Sequence, residues 1–176
     1  MITAYVDITA PLYWWKEMDT YKVGTVANGC STMHKIHAKE FTLDDFSHDR
    51  LLGPLNYGGN DKIPHVDVTP EMDGSIIFSP IGVLKYVTIP MLNECRRRYI
   101  EYDGCDGIYK KDLWYQMIQL LPTSYNQKRT VMLNYEVLAN VYKSRKNHKL
   151  DEWHTFCDWI KSLPYSELIT GGIHVD

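Results

Sequence analysis

The four cysteines, Cys30, Cys95, Cys105 and Cys157, form no CxxC pair and follow no signal peptide, so they are expected as reduced thiols of a cytoplasmic protein. No apolar run approaches the roughly 20 residues that cross a bilayer, and the amino terminus lacks a basic stretch leading into a hydrophobic one. The chain is expected to be neither secreted nor embedded. Positive charge is not in excess: the net charge is −3, which argues against duplex nucleic acid as the main partner and leaves small or local anions. There is no Walker loop, dinucleotide fingerprint or serine-hydrolase elbow, and Gly58-Gly59 alone is too weak a signal to replace one. No repeat, low-complexity tract or linker divides the sequence, so residues 1–176 are expected to form a single domain.

What is present is material for a core. A 176-residue domain buries roughly two-thirds of its unfolded surface, and 44% of these residues are hydrophobic. Residues 1–9 alternate apolar and polar positions, with Ile2, Ala4, Val6 and Ile8 on one side, which predicts a half-buried strand ended by Ala10-Pro11. Pro11 suits a first helical turn, and Leu12, Trp15, Met18 and Lys22 follow at helical spacing. Val23 to Lys35 is rich in small and polar residues and reads as a loop turning at Gly24 and Gly29.

Thr42-Leu43-Asp44-Asp45 reads as a helix start, and His48 to Pro80 as mostly irregular with a short strand over Ser75–Phe78. Pro80–Tyr102 is predicted as two helices broken near Pro90, because proline lacks the amide hydrogen of a helix interior. Asp112–Leu121 is predicted helical and ended by Pro122, and 126–130 as a short extended link. Two amphipathic helices follow. Met132–Lys146 carries Val137, Leu138 and Val141 on one stripe, and Leu150–Leu163 carries Trp153, Phe156, Cys157 and Ile160 on another. The fold class is α+β, mostly helical with a small sheet.

Within the 132–146 stretch, helical geometry puts Asn134 and Arg145 on the apolar stripe and Glu136, Ala139 and Lys143 opposite. An inward guanidinium is expensive unless it meets an anion, and its planar fork suits a carboxylate or a phosphate. Two readings follow: an internal ion pair with Asp7, Glu17 or Asp19, or a pocket for a phosphorylated small molecule.

Three stretches resemble the flavin-dependent thymidylate synthases, which methylate the uracil of dUMP with FAD and a folate carbon donor. ITAPLYWWKEMDTYKVGTVANGCS resembles that family's strand, proline-started helix and signature; LLP at 120–122 and VMLNYEVLANVYKSR at 131–145 resemble its later motifs. The resemblance covers about the first 35 residues and about 110–160. It implies that Asn134 and Asn140 contact the flavin together with Lys22, the one positive charge kept from the signature's Arg-His-Arg. It also implies that Arg145 and Asn28 hold the nucleotide, that Ser31 is the catalytic serine beside the uracil, and that the protein is a homotetramer with pockets assembled between subunits.

The departures are specific. Thr20-Tyr21-Lys22 stands where the family has Arg-His-Arg, and its spacing to Ser31 is one residue longer. Gly29, Met33, Ile118 and Glu136 replace a glutamate and three arginines, Asp7 replaces a flavin-side histidine, and the sequence begins at the strand without the family's preceding segment. Each lost charge-assisted bond to an anion is worth about 1.5–3 kcal/mol, so two lost from a phosphate site weaken it by several orders of magnitude. Arg96, Arg97, Arg98, Lys128, Arg129 and Lys35 are candidate replacements, with solvated surface as their plainer reading. The functional expectation is therefore a divergent homologue that modifies C5 of a uracil nucleotide; the alternative is a non-catalytic descendant that binds a nucleotide or another protein.

Other constellations carry less. Cys30, His34 and His37 have ligand chemistry at helical spacing but no fourth partner, and Cys30 beside a histidine has the composition of a nucleophile without a fixed geometry. The aromatic residues Tyr13, Trp14, Trp15, Tyr21, Trp114, Tyr115, Trp153 and Trp159 are explained mainly by core packing.

Overall fold

The computed structural model describes residues 2–29, 34–52, 66–68, 76–104 and 107–171. The fold is α+β, and its contacts gather into two compact units: residues 1–30 with 126–176, and residues 31–125.

In the first unit the expected opening strand forms as β1 (Thr3–Pro11), with Ala4, Val6 and Ile8 turned toward the core and Thr3, Tyr5, Asp7 and Thr9 outward. Pro11 lies just outside α1 (Leu12–Met18), which stops short of Lys22 and buries Trp14, Trp15 and Met18. The stretch expected to be a loop contains a strand, β2 (Thr25–Gly29), entered through Gly24 at φ +79°. A Cβ on Gly24 would lie 2.3 Å from Asn134 Nδ2, so glycine is required there both for its backbone conformation and for space.

The largest departure from expectation is β5, Asn126–Asn134: the link over 126–130 is extended as expected, but the strand continues through the first turns of the expected 132–146 helix. It is the central strand of the antiparallel order β1-β5-β2, pairing Thr3 with Asn134 through Pro11 with Asn126 on one side, and Thr25 with Leu133 through Gly29 with Arg129 on the other. Val131 and Leu133 face inward with no exposure while Met132 faces out, the period of a strand. Pairing on both sides outweighs the local helical pattern.

Helix α5 therefore begins at Tyr135 and runs to Arg145, with Asn134 as its N-cap: Oδ1 accepts the Val137 amide at 2.8 Å. Val137, Leu138 and Val141 are buried as expected. α6 (Asp151–Lys161) buries Trp153, Phe156, Cys157 and Ile160, and α7 (Glu167–Thr170) adds Ile169. Trp14, Trp153 and Phe156 pack ring on ring between the sheet and these helices.

In the second unit Leu43–Asp45 is a single 3-10 turn closed by a capping box, where Asp45 Oδ2 accepts the Thr42 amide at 2.9 Å and Lys39 bonds the same carboxylate. The irregular stretch contains the short pair β3 (Val66–Val68) and β4 (Ile76–Phe78). Pro90 does not break the helical run. α2 (Pro80–Val83) passes through a π turn (Leu84–Thr88) into α3 (Ile89–Glu101), and α4 spans Gly107–Leu120. Pro90 follows the wide turn directly, so the run loses one amide bond there while the extra width of the π turn accommodates the proline ring. The Asn93 amide clamps the Phe41 peptide by two 2.8 Å bonds, tying the loop before the 3-10 turn to α3.

Candidate functional site

The polar chemistry of the first unit gathers in three places. The first is Arg145. Its side chain is 19% exposed, and the stripe geometry that put it inward holds. Nη1 lies 2.8 Å from Glu17 Oε2, Nε donates to Tyr21 Oη at 3.0 Å, and the guanidinium stacks 4.8 Å from the Trp153 ring. Glu17 Oε2 also accepts Trp153 Nε1–H at 2.9 Å, with His148 Nε2 at 3.5 Å. The internal ion pair exists, with Glu17 as the partner among the three acids considered. Tyr21 belongs to the altered Thr20-Tyr21-Lys22 triad, so that triad meets Arg145 through a hydroxyl.

The second place is the mouth of β2. Arg129, a candidate anion partner whose plainer sequence reading was solvated surface, is 19% exposed: Nη1 bonds Asp19 at 2.8 Å, Nε bonds Gln127 Oε1 at 2.9 Å, and the guanidinium stacks 4.4 Å from Trp15. Its aliphatic stem passes Gly29 at ordinary contact distance, 3.4 Å from where a Cβ there would lie. Beside it Trp15, Met18, Asp19, Tyr21, Lys22, Thr25, Ala27 and Val131 enclose about 160 Å³. Lys22 is exposed at this cavity and makes no ion pair among the described residues.

The third place is the outer face of the sheet. The register aligns Asp7, Thr130 and Asn28 in one row and Tyr5, Met132 and Val26 in the next. Asp7 accepts Thr130 Oγ1–H at 2.6 Å and pairs with Lys128 at 2.8 Å, and these partners hold its carboxyl below the usual range. Tyr5 is 71% and Val26 59% exposed, so this face is open and half apolar.

The candidate residues are thus distributed over both sides of the sheet. Asn28 is exposed on the outer face, whereas the cavity that Lys22 lines opens on the face carrying Thr25 and Ala27. Asn134 is 7% exposed and spends its Oδ1 on the cap; Asn140 is exposed on α5, away from Arg145. Ser31 and Cys30 lie outside the described residues, and so does any nucleophile or zinc site that needs Cys30. No cluster of metal-binding side chains occurs among the described residues. Sequence reasoning named Arg129 as a candidate anion partner and Asp19 as a candidate acid without pairing them; the signal for the pair was Arg129 on an alternating strand, at a position whose neighbour Val131 points inward.

No family model matches the chain, and no curated protein matches it. Two solved structures of thymidylate synthase X (ThyX) from Helicobacter pylori, both with FAD and dUMP, are similar to it at a TM-score of 0.55 and 15% identity. Each alignment covers 96% of this chain and 72% of the other. The chain therefore has an α+β fold like that of these flavin-dependent thymidylate synthases.

Proposed function

We propose that the protein is a divergent flavin-dependent thymidylate synthase homologue that modifies C5 of a uracil nucleotide resembling dUMP, with FAD and a folate carbon donor. The observation that supports it is the inward Arg145 on this fold, held by Glu17, Tyr21 and Trp153. An arginine fixed on one edge and stacked on an indole is pre-oriented, which lowers the entropy lost when a second anion binds. Its Nη2 makes no hydrogen bond among the described residues, and a nucleotide phosphate would take that position.

The exposed donors have the chemistry that a flavin takes. Asn140 offers an amide donor and acceptor with no partner among the described residues, and Lys22 offers a free cation; an imide edge and a pyrophosphate need these groups. Asn134 fixes the start of the helix that carries Asn140. Bound FAD would supply the electrons for the methyl transfer. Asn28 would hydrogen-bond the nucleotide from the outer face of the sheet, and Ser31 would border the reacting ring.

In this reading the outer sheet face is covered by another copy of the chain. Residues on opposite sides of one sheet serve a common pocket only when copies complement one another, as in a homotetramer. The open row Tyr5, Met132 and Val26 supplies the apolar area for such packing.

Thermal-shift measurements with FAD, dUMP and UMP test the reading, because a ligand of the folded state raises Tm by mass action. A yellow protein stabilised by FAD and dUMP, able to complement a thymidine-requiring strain, is the expected outcome. A colourless protein whose Tm moves with none of these ligands overturns it.

A further inference from the structure

Among the described residues strand β1 ends its sheet and is hydrogen-bonded to β5 on one side only. Among the described residues no backbone hydrogen bond from outside the sheet reaches Thr3–Ala10. A nine-residue edge of this kind is a template for another strand. Beside it, α6 turns Glu152, Thr155, Phe156 and Trp159 toward the edge, at spacings that share one helix face.

These residues, with Trp14, form one wall of a cleft of about 320 Å³ whose other wall is Val6, Asp7, Ile8, Thr9 and Ala10. Successive strand residues point to opposite faces, so a wall made of five in a row is the strand's edge.

Two features say what the groove takes. Its apolar side is aromatic: Phe156 and Trp159 stack with centroids 5.1 Å apart, and Trp14 meets Phe156 edge-on at 5.6 Å. Trp14 is 1% exposed, and its Nε1–H finds no acceptor among the described residues. The charge at the groove is acidic: Glu152 in the wall accepts the Tyr13 hydroxyl, which leaves its negative charge in place, and Asp151, which faces His154, lies beside it in the first turn of α6.

We propose that the groove between the free edge of β1 and α6 binds an extended peptide, which adds to the sheet as a strand. The peptide places an aliphatic or aromatic side chain against Phe156 and Trp159 and a lysine or arginine opposite Glu152. Main-chain bonds to β1 give affinity, and the cleft reads alternate side chains. Residues 6–10 of β1 span about 17 Å, which matches four or five peptide residues. The inference stands apart from the nucleotide reading, since it uses none of the same side chains.

The test is selection of a phage-displayed library of random seven-residue peptides on the full chain, followed by affinity measurements on a synthetic consensus peptide. The expected consensus pairs an apolar residue with a basic one. N-methylation of alternate peptide amides is expected to weaken binding about tenfold while methylation of the intervening ones does not, because only every second amide faces β1.

Thr155 is exposed, so Thr155→Trp, which fills the cleft, and Thr155→Lys, which repels the basic residue, are both expected to fold and to weaken binding about tenfold. No enrichment over an unrelated protein overturns the proposal, as does binding indifferent to both variants or to N-methylation. An oligomer that dissociates on Thr155→Trp also overturns it, since the occupant would then be a second copy.

Discussion

Glu17→Gln removes one charge from the centre of the first unit while keeping the size of the side chain. The glutamine still accepts the Trp153 Nε1–H bond of 2.9 Å, so the interaction lost is the 2.8 Å pair with Arg145. The two side chains are 32% and 19% exposed. That places the pair between surface pairs, worth up to about 1 kcal/mol, and interior pairs, whose breakage costs about 3–5 kcal/mol. The expected loss is about 1–2 kcal/mol, which in a chain of this length lowers Tm by roughly 2–8 °C.

The assay is a tryptophan-fluorescence melt, which reports chiefly on the first unit because Trp14, Trp15, Trp153 and Trp159 lie there. Arg145→Met, alone and combined with Glu17→Gln, closes a double-mutant cycle with an expected coupling of about 1 kcal/mol. Coupling below about 0.3 kcal/mol, or a Glu17→Gln variant more stable than the parent, would refute the idea that Glu17 anchors Arg145.

Further outcomes follow from other parts of the molecule. Gly24→Ala should cost about 2–4 kcal/mol in a urea melt, from left-handed strain plus the 2.3 Å approach to Asn134; a neutral effect would disprove the close packing. Asn134→Asp should keep most of the stability that Asn134→Ala loses, about 1 kcal/mol, because the carboxylate still accepts the Val137 amide; equal losses would deny the cap. Glu94, bonded to Arg97 and Arg98, titrates at about 2 instead of 4.5. A depressed carboxylate stabilises above its unfolded value, so its contribution is lost as pH falls from about 4.5 toward about 2, and Glu94→Gln should lack that limb of an acid titration followed by circular dichroism. Cys157 is 2% exposed and burial pushes its thiol up, so iodoacetamide should leave it unlabelled at neutral pH until the protein is denatured.

Much of the architecture was legible where one face alone decides it. The alternation of Ala4, Val6 and Ile8, the stripe of Val137, Leu138 and Val141, and the inward Arg145 are local patterns that packing kept. β2 and the second half of β5 were hidden for a common reason. Thr25–Gly29 carries few strand-forming side chains and is a strand because β5 pairs with it, while Val131–Asn134 fits helical spacing until β1 and β2 claim it from either side. That pairing moved Asn134 from a helix stripe to a helix cap. It also put Asn28 on the opposite side of the sheet from the cavity at Lys22, a separation that spacing along the chain does not encode. The partner of Arg145 was narrowed by sequence to three acids, but choosing Glu17 required α1 and α6 to be placed, because Trp153 shares the same oxygen.

The π turn at Leu84–Thr88 has a genetic corollary. A π turn is an α-helix with one residue too many, and here the Ile89 amide reaches back to the Leu84 carbonyl across that surplus. Deleting one codon among 85–87 would regularise the coil and leave a single unbroken helix, in which Pro90 would collide with the preceding turn. Shortening this segment by one residue is therefore tolerable only alongside replacement of the proline, so homologous sequences should gain or lose the two together.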